Sequence, residues 1–150
     1  MRVIIQRVSK ASVSINGLVK SSITQGLVLL LGIAVEDDSR DVKWLVNKIT
    51  SLRIFSDTNG QMNESIIDVD GDVLLISQFT LFASTKKGNR PSFIRSAHPE
   101  VAIPLYEAFQ KAIEEVLGKP ICTGEFGADM KVSLINDGPI TISLDSKNKE

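Results

Sequence analysis

The chain has 150 residues, 43% of them apolar and 23% charged, with a formal net charge of -1. This balance predicts one soluble domain with its own core; it excludes a disordered chain, a fibre and a protein that grips polyanions by overall charge. A single cysteine, Cys122, excludes an intramolecular disulfide and a thiolate metal cluster, which fits a reducing, cytoplasmic setting.

The opening Met1 to Arg7 is too short an apolar stretch for a signal peptide. Val3 to Val8, Ala11 to Ile15 and Leu18 to Lys20 favour strands, and Asn16-Gly17 is the dipeptide that a type I′ hairpin demands. Gly26 to Val35 is apolar throughout and reads as a strand buried on both faces. Interrupted by Gly32, it is about half the ~20 residues that span a bilayer, so no membrane partner is expected. Asp37, Asp38 or Ser39 can cap a helix whose stripe is Val42, Leu45, Val46, Ile49 and Leu52.

Arg53 to Phe55 reads as a strand ended by the Asp57-Thr58-Asn59-Gly60 turn, and Asp70-Gly71 marks the turn before a strand over Val73 to Phe79. Ala83 to Ala97 is polar, basic and broken by Gly88 and Pro91, a surface loop of a length often functional. A second helix follows Pro99, with Pro104 expected in its first turn, the stripe Leu105, Tyr106, Phe109, Ile113, Val116 and Leu117, and a stop at Gly118 and Pro120. Ile121 to Thr123, Met130 to Ile135 and Ile140 to Leu144 read as strands, and residues 146–150 as a mobile polar tail. Runs of strands with two helices predict an α+β domain over residues 1–145, with mixed or antiparallel sheets.

Two strings could carry chemistry. Asn136-Asp137-Gly138-Pro139 by itself reads as a turn between two strands. Pro139 nevertheless removes a donor, and Gly138 lets backbone approach a ligand closely. Ser77-Gln78-Phe79-Thr80 reads either as a plain strand end with Phe79 in the core or as a site at a strand end. Thr80 as a nucleophile would need an adjacent base, and its motif holds no His or Lys, so a hydrogen-bonding role is the assignment. The Phe79 and Thr80 N–H groups could stabilise an oxyanion. Lys86, Lys87, Arg90 and Arg95 form a local basic patch just beyond. His98 receives no role, Cys122 reads as a small buried side chain, and the scattered acids show no metal-ligand spacing, so no metal or cofactor is expected.

Taken in order, Met1-Arg2-Val3-Ile4-Ile5-Gln6-Arg7-Val8, Leu52-Arg53-Ile54-Phe55, Ser77-Gln78-Phe79-Thr80-Leu81, Lys87-Gly88-Asn89-Arg90-Pro91-Ser92-Phe93, Phe126-Gly127-Ala128-Asp129-Met130 and Asn136-Asp137-Gly138-Pro139-Ile140-Thr141 make the chain similar, end to end, to the D-aminoacyl-tRNA deacylases (the D-tyrosyl-tRNA deacylase family). The one departure noticed in the last string is Ile140, where the family usually has Val, a modest volume change. The resemblance implies a barrel-like domain and a cytoplasmic homodimer that hydrolyses the ester of D-aminoacyl-tRNA, with glycyl-tRNA as a further substrate. It implies a pocket lined by Ser77, Gln78, Phe79 and Thr80. Gly138 and Pro139, joined by a cis bond and supported by Arg7, would enter the partner's pocket as a chirality filter. Lys86, Lys87 and Arg90 would meet tRNA phosphates, and Phe126, Gly127, Ala128 and Met130 the terminal adenosine. The partner is the tRNA 3′ end, not DNA. The alternatives are a non-catalytic RNA-binding dimer and a deacylase for a misattached L-amino acid.

Overall fold

Asn16 and Gly17 take positive φ angles of 51° and 77°, the left-handed pair that a tight hairpin requires. They join β1 (Arg2–Ile15) to β2 (Leu18–Ile23). The computed structural model describes residues 1–149; Glu150, the last residue of the expected tail, lies outside the described residues. β1 is one strand of 14 residues, not the two short pieces expected, because pairing resumes past a register shift at Ser9, with Lys10 opposite Ile135, between two buried stretches.

β3 (Gly26–Gly32) pairs antiparallel with β1 and parallel with β6 (Asp72–Ser77), which in turn pairs parallel with the short β7 (Cys122–Thr123). The order is β2-β1-β3-β6-β7, with β8 (Met130–Asp145) lying along β1. Side chains link β2 back to β7: Lys20 Nζ donates to Gly124 O at 2.8 Å, and Ser21 Oγ to Thr123 O at 2.8 Å. The mixed sheet thereby curls into a near-barrel. β4 (Phe55–Ser56) and β5 (Met62–Glu64) form a separate hairpin.

β3 is buried on both faces, as its unbroken apolar run predicts. Leu27, Leu29 and Leu31 face a large cluster with Val42, Leu45, Val46 and Ile49 of α1 (Ser39–Ser51) and Tyr106, Phe109 and Ile113 of α2 (Pro99–Leu117). Val28 points the other way, to Val8, Val13, Leu74 and Ile76 inside the barrel. Truncating Leu29 or Leu45 to Ala should cost about 2–5 kcal/mol, because each is fully buried.

Asp38 caps α1: its carboxylate accepts the Arg40 N–H at 2.8 Å, and Asp41 reaches back to the Asp38 N–H at 2.9 Å. Asp37 is buried and ion-paired at 2.5 Å with the Met1 ammonium. Pro104 sits beyond the first turn of α2, which starts at Pro99; its missing N–H removes the bond to Glu100 O that an ordinary residue would make.

The expected loose tail is instead docked over residues 146–149. Ser146 Oγ donates to Asp41 Oδ1 at 2.7 Å, Lys147 Nζ to Asp41 Oδ2 at 2.8 Å, and the Lys149 ammonium lies 5.0 Å from the Trp44 ring centre. Composition missed this because the partners are single buried polar groups on α1. Among the described residues, no helix is long and apolar enough to cross a membrane.

Candidate active site

β3 ends at Gly32 rather than Val35, and β6 at Ser77 rather than Phe79. Gln78 N still donates to Leu31 O at 2.7 Å, after which Phe79–Phe82 wind into a 3₁₀ turn. Gly32 is needed beneath this turn: a Cβ there would lie 3.0 Å from Gln78 O and from Leu81 Cβ. The first string therefore stands at the carboxyl ends of two parallel strands, where paired backbone gives way to free backbone.

Leu81 N donates to Gln78 O, and Ala83 N to Thr80 O. The Phe79 and Thr80 N–H groups precede these bonds and have no acceptor within the turn, as at any helical start. Ser96 Oγ donates to Phe79 O at 2.8 Å. A trans peptide points its C=O and N–H in opposite directions, so this bond also aims the Thr80 N–H away from Ser96. Arg2 Nη1 donates to Leu81 O at 2.9 Å, fixing the far end of the turn.

Thr80 Oγ accepts a hydrogen bond from the Gln78 carboxamide. A donor on that oxygen withdraws electron density and leaves the hydroxyl proton free to be donated, the reverse of activation by a base. Phe79 is 57% exposed and packs edge-on against Phe93 at 5.0 Å; the plain reading that put it in the core does not hold.

Ser77, Gln78, Phe79, Phe126 and Gly127 line a cavity of about 60 Å³ closed by Leu31, Ile33, Ala97 and Ala102. A neighbouring cleft of about 220 Å³ shares Ser77, Gln78, Phe79 and Gly127 and adds Ala128 and Met130. Phe126 is held edge-on by Tyr106 at 5.9 Å, and Tyr106 donates to Leu75 O at 3.0 Å. Burial pushes the Tyr106 hydroxyl well above its usual range, so it stays a neutral donor. Lys86, Lys87 and Arg90 are exposed on the loop beyond Ser84, whose ends are pinned by the Ser84–Ser92 bridge; they line neither space.

The second string is not a turn between two strands. β8 runs through it, with Gln6 opposite Thr141 and Val8 opposite Asn136. Four residues, Asp137 to Ile140, therefore face the single residue Arg7 and are extruded from the sheet as a large bulge. Sequence pointed to a turn because the same residue types serve both forms; the ladder continues on both flanks, so the chain does not reverse. The Gly138-Pro139 bond is cis, and Gly138 has φ 123°. A Cβ on Gly138 would lie 2.9 Å from Ile140 Cγ1 and 3.2 Å from Arg7 Nη2. Arg7, itself buried, donates from Nε to Asp137 O at 3.2 Å, pairs with Asp137 Oδ2 at 3.0 Å, and donates from Nη1 to Ile54 O at 2.6 Å. Gly138 and Pro139 are exposed and line neither cavity of their own chain. Among the described residues, no three His, Cys, Asp or Glu side chains are grouped to hold a metal ion.

The family model for D-Tyr-tRNA(Tyr) deacylase matches residues 4–145. The chain belongs to this family. Over 150 residues, with full coverage of both chains, it is 61% identical to a D-aminoacyl-tRNA deacylase of Bacteroides fragilis (strain YCH46) and 59% identical to one of Flavobacterium johnsoniae. A solved structure described as c-Myc DNA Unwinding Element Binding Protein superposes with a TM-score of 0.90 at 38% identity, covering 97% of this chain and 98% of that one. A second, described as a probable eukaryotic D-amino acid tRNA deacylase, has a TM-score of 0.82 at 17% identity over 95% and 97% of the two chains, and bears on the fold alone.

For a chain of this deacylase family, both strings and, through the resemblance, Arg7 were legible in the sequence, whereas the residues that hold the first string were not. Ser96 and Arg2 support the 3₁₀ turn through bonds to carbonyls. Such contacts leave no spacing signal, since any donor at the right place serves. Cys122 is only half-buried, and its thiol faces Ser22 O at 3.5 Å.

Proposed function

We propose that the protein hydrolyses the ester of D-aminoacyl-tRNA, releasing a D-amino acid and free tRNA, and rejects L-aminoacyl-tRNA by steric exclusion at Gly138-Pro139 of a second subunit. The single observation that carries this reading is the joint lining of one cavity by Ser77, Gln78, Phe79, Phe126 and Gly127, with Phe79 opening the 3₁₀ turn; Thr80, the next residue of the turn, lines neither that cavity nor the neighbouring cleft. Exposure of Gly138 and Pro139 on an edge-strand bulge, away from their own cavities, supports action in trans within a homodimer.

In the proposed reaction, water adds to the ester carbonyl, negative charge develops on the carbonyl oxygen, and the ribose 3′-oxygen leaves as the carbonyl reforms. Phe79 N–H and Thr80 N–H receive the developing oxyanion. The neighbouring ribose 2′-hydroxyl of the substrate takes the proton of the attacking water as it passes its own to the departing 3′-oxygen, which leaves as a hydroxyl; this relay removes the need for a protein base. This agrees with the donor that Gln78 places on Thr80 Oγ. A tRNA ending in 2′-deoxyadenosine should then react poorly. Phe126, Gly127, Ala128 and Met130 form the surface for the terminal adenosine, and Lys86, Lys87 and Arg90 meet phosphates. Because the filter works by clash, it accepts D side chains of many kinds, and glycyl-tRNA, which has nothing to clash, is a further substrate.

The deciding experiment compares matched D-tyrosyl-tRNA and L-tyrosyl-tRNA with the purified protein. Release from the D form alone is expected; release from neither would turn the reading to a non-catalytic RNA-binding dimer, and release from the L form to another editing activity.

A further inference from the structure

We infer that Asn136 is a specificity-determining positioning residue: its carboxamide stands in for a missing strand and fixes where the Gly138-Pro139 bulge projects. The inference rests on the reading of Gly138-Pro139 as the filter. Where four residues of β8 face one of β1, the ladder cannot supply a partner for every backbone group of the bulge. Ile140, at its closing end, is the first place where the strand must regain its course. Its N–H donates to Asn136 Oδ1 at 2.9 Å, and Asn136 Nδ2 donates to Ile140 O at 3.3 Å. The same Nδ2 donates to Thr141 Oγ1 at 2.9 Å, and that oxygen also lies 3.4 Å from Gln6 Nε2.

A side-chain amide has the donor and acceptor of one peptide unit. Asn136 thus does for Ile140 what an opposing strand residue would do, from only four residues upstream. Asp offers no donor, and Ser cannot span both groups of Ile140. Arg7 holds the opening end of the bulge at Asp137, so the two exposed residues between, Gly138 and Pro139, are clamped from both sides. A steric filter needs this: discrimination by clash is lost as soon as the obstructing atoms can retreat. The side chain is not itself in contact with either cavity of its own chain.

The test measures the ratio of D-tyrosyl-tRNA to L-tyrosyl-tRNA deacylation for the wild type, Asn136→Ala, Asn136→Asp and Gly138→Ala, with thermal midpoints alongside. Asn136→Ala should lower the ratio about tenfold or more by admitting the L substrate, as expected when a hydrogen-bonded clamp is removed. Its rate on the D substrate should change much less than the ratio. Asn136→Asp, which keeps the acceptor for Ile140 N–H, should fall between; it decides the matter if the alanine variant does not fold. A merely structural role would lower the midpoint and both rates together, leaving the ratio alone. If the Asn136 variants keep the wild-type ratio while Gly138→Ala loses it, the inference is overturned and the filter stands. If Gly138→Ala also keeps the ratio, the filter reading falls and the inference with it.

Discussion

The two strings are built in opposite ways. Ser77–Thr80 hangs from the carboxyl ends of buried parallel strands: Gln78 N–H continues the ladder to Leu31 O, and the Ser96 and Arg2 side chains only tie down the Phe79 and Leu81 carbonyls of the turn that follows. Asp137–Ile140 leaves an edge strand altogether and is held by two side chains, Arg7 and Asn136. A donor site inherits its rigidity from the core beneath it, whereas an obstructing element must reach outward and brings its own braces.

The sharpest way to break this contrast is at Gly138. Gly138→Ala places a Cβ against Ile140 and Arg7 at a φ of 123°, and the bulge must shift. Selectivity for the D substrate should fall by about two powers of ten, the scale on which a shaped pocket discriminates, in a matched D and L assay. Next is Arg7→Ala. It strips Ile54 O and Asp137 of a buried donor and should destabilise the fold by about 2–3 kcal/mol in urea titration. Arg7→Lys should rescue little, since a single ammonium cannot span both carbonyls.

Thr80→Ala tests the other region. With the N–H groups doing most of the work, the rate should fall by about tenfold, the worth of one hydrogen bond; deacylation retained on that scale is incompatible with a covalent Thr80 nucleophile, the competing mechanism. Smaller still are the loop charges: replacing Lys86, Lys87 or Arg90 by Ala should each reduce the slope of log affinity for tRNA against log salt by about 0.7. The smallest effect lies far from both strings, at Asp41. Burial pushes its carboxyl up, but hydrogen bonds from Lys147, Ser146 and the Asp38 N–H outweigh it and hold the group below its usual range. A lowered folded-state value contributes stability above the unfolded one and loses it as protons bind. The stability that Asp41→Asn removes should therefore be greatest above about pH 4 and shrink as the pH falls below it, read from urea midpoints of wild type and variant across pH.

Much of the fold was legible because it depends on repeating patterns. The Val42 to Ile49 stripe, the two-sided burial of β3 and Asn16-Gly17 each name a period, a run or a dihedral; all three stand as expected, though β3 stops at Gly32. The bulge was not legible: Asn, Asp, Gly and Pro favour turns and bulges alike, and only the continuing register opposite Gln6 and Val8 distinguishes them. The tail was misjudged for a related reason, since polar composition cannot reveal that Ser146 finds a buried acceptor on α1. In the candidate site, the strings themselves were visible, while Ser96 and Arg2, acting on carbonyls, were not.

The barrel's closure has a mechanical consequence. Among the described residues β2 and β7 share no backbone ladder, and the join between them is made by Lys20, Ser21 and Cys122 reaching single carbonyls. Such a seam opens more easily than a ladder, since no neighbouring rungs must break with it. Amide protons along β7 should exchange faster than those of β3. The segment that leaves β7 at Gly124 goes on to form the Gly127–Met130 wall of the cleft, so the least stitched edge of the barrel borders the proposed substrate site.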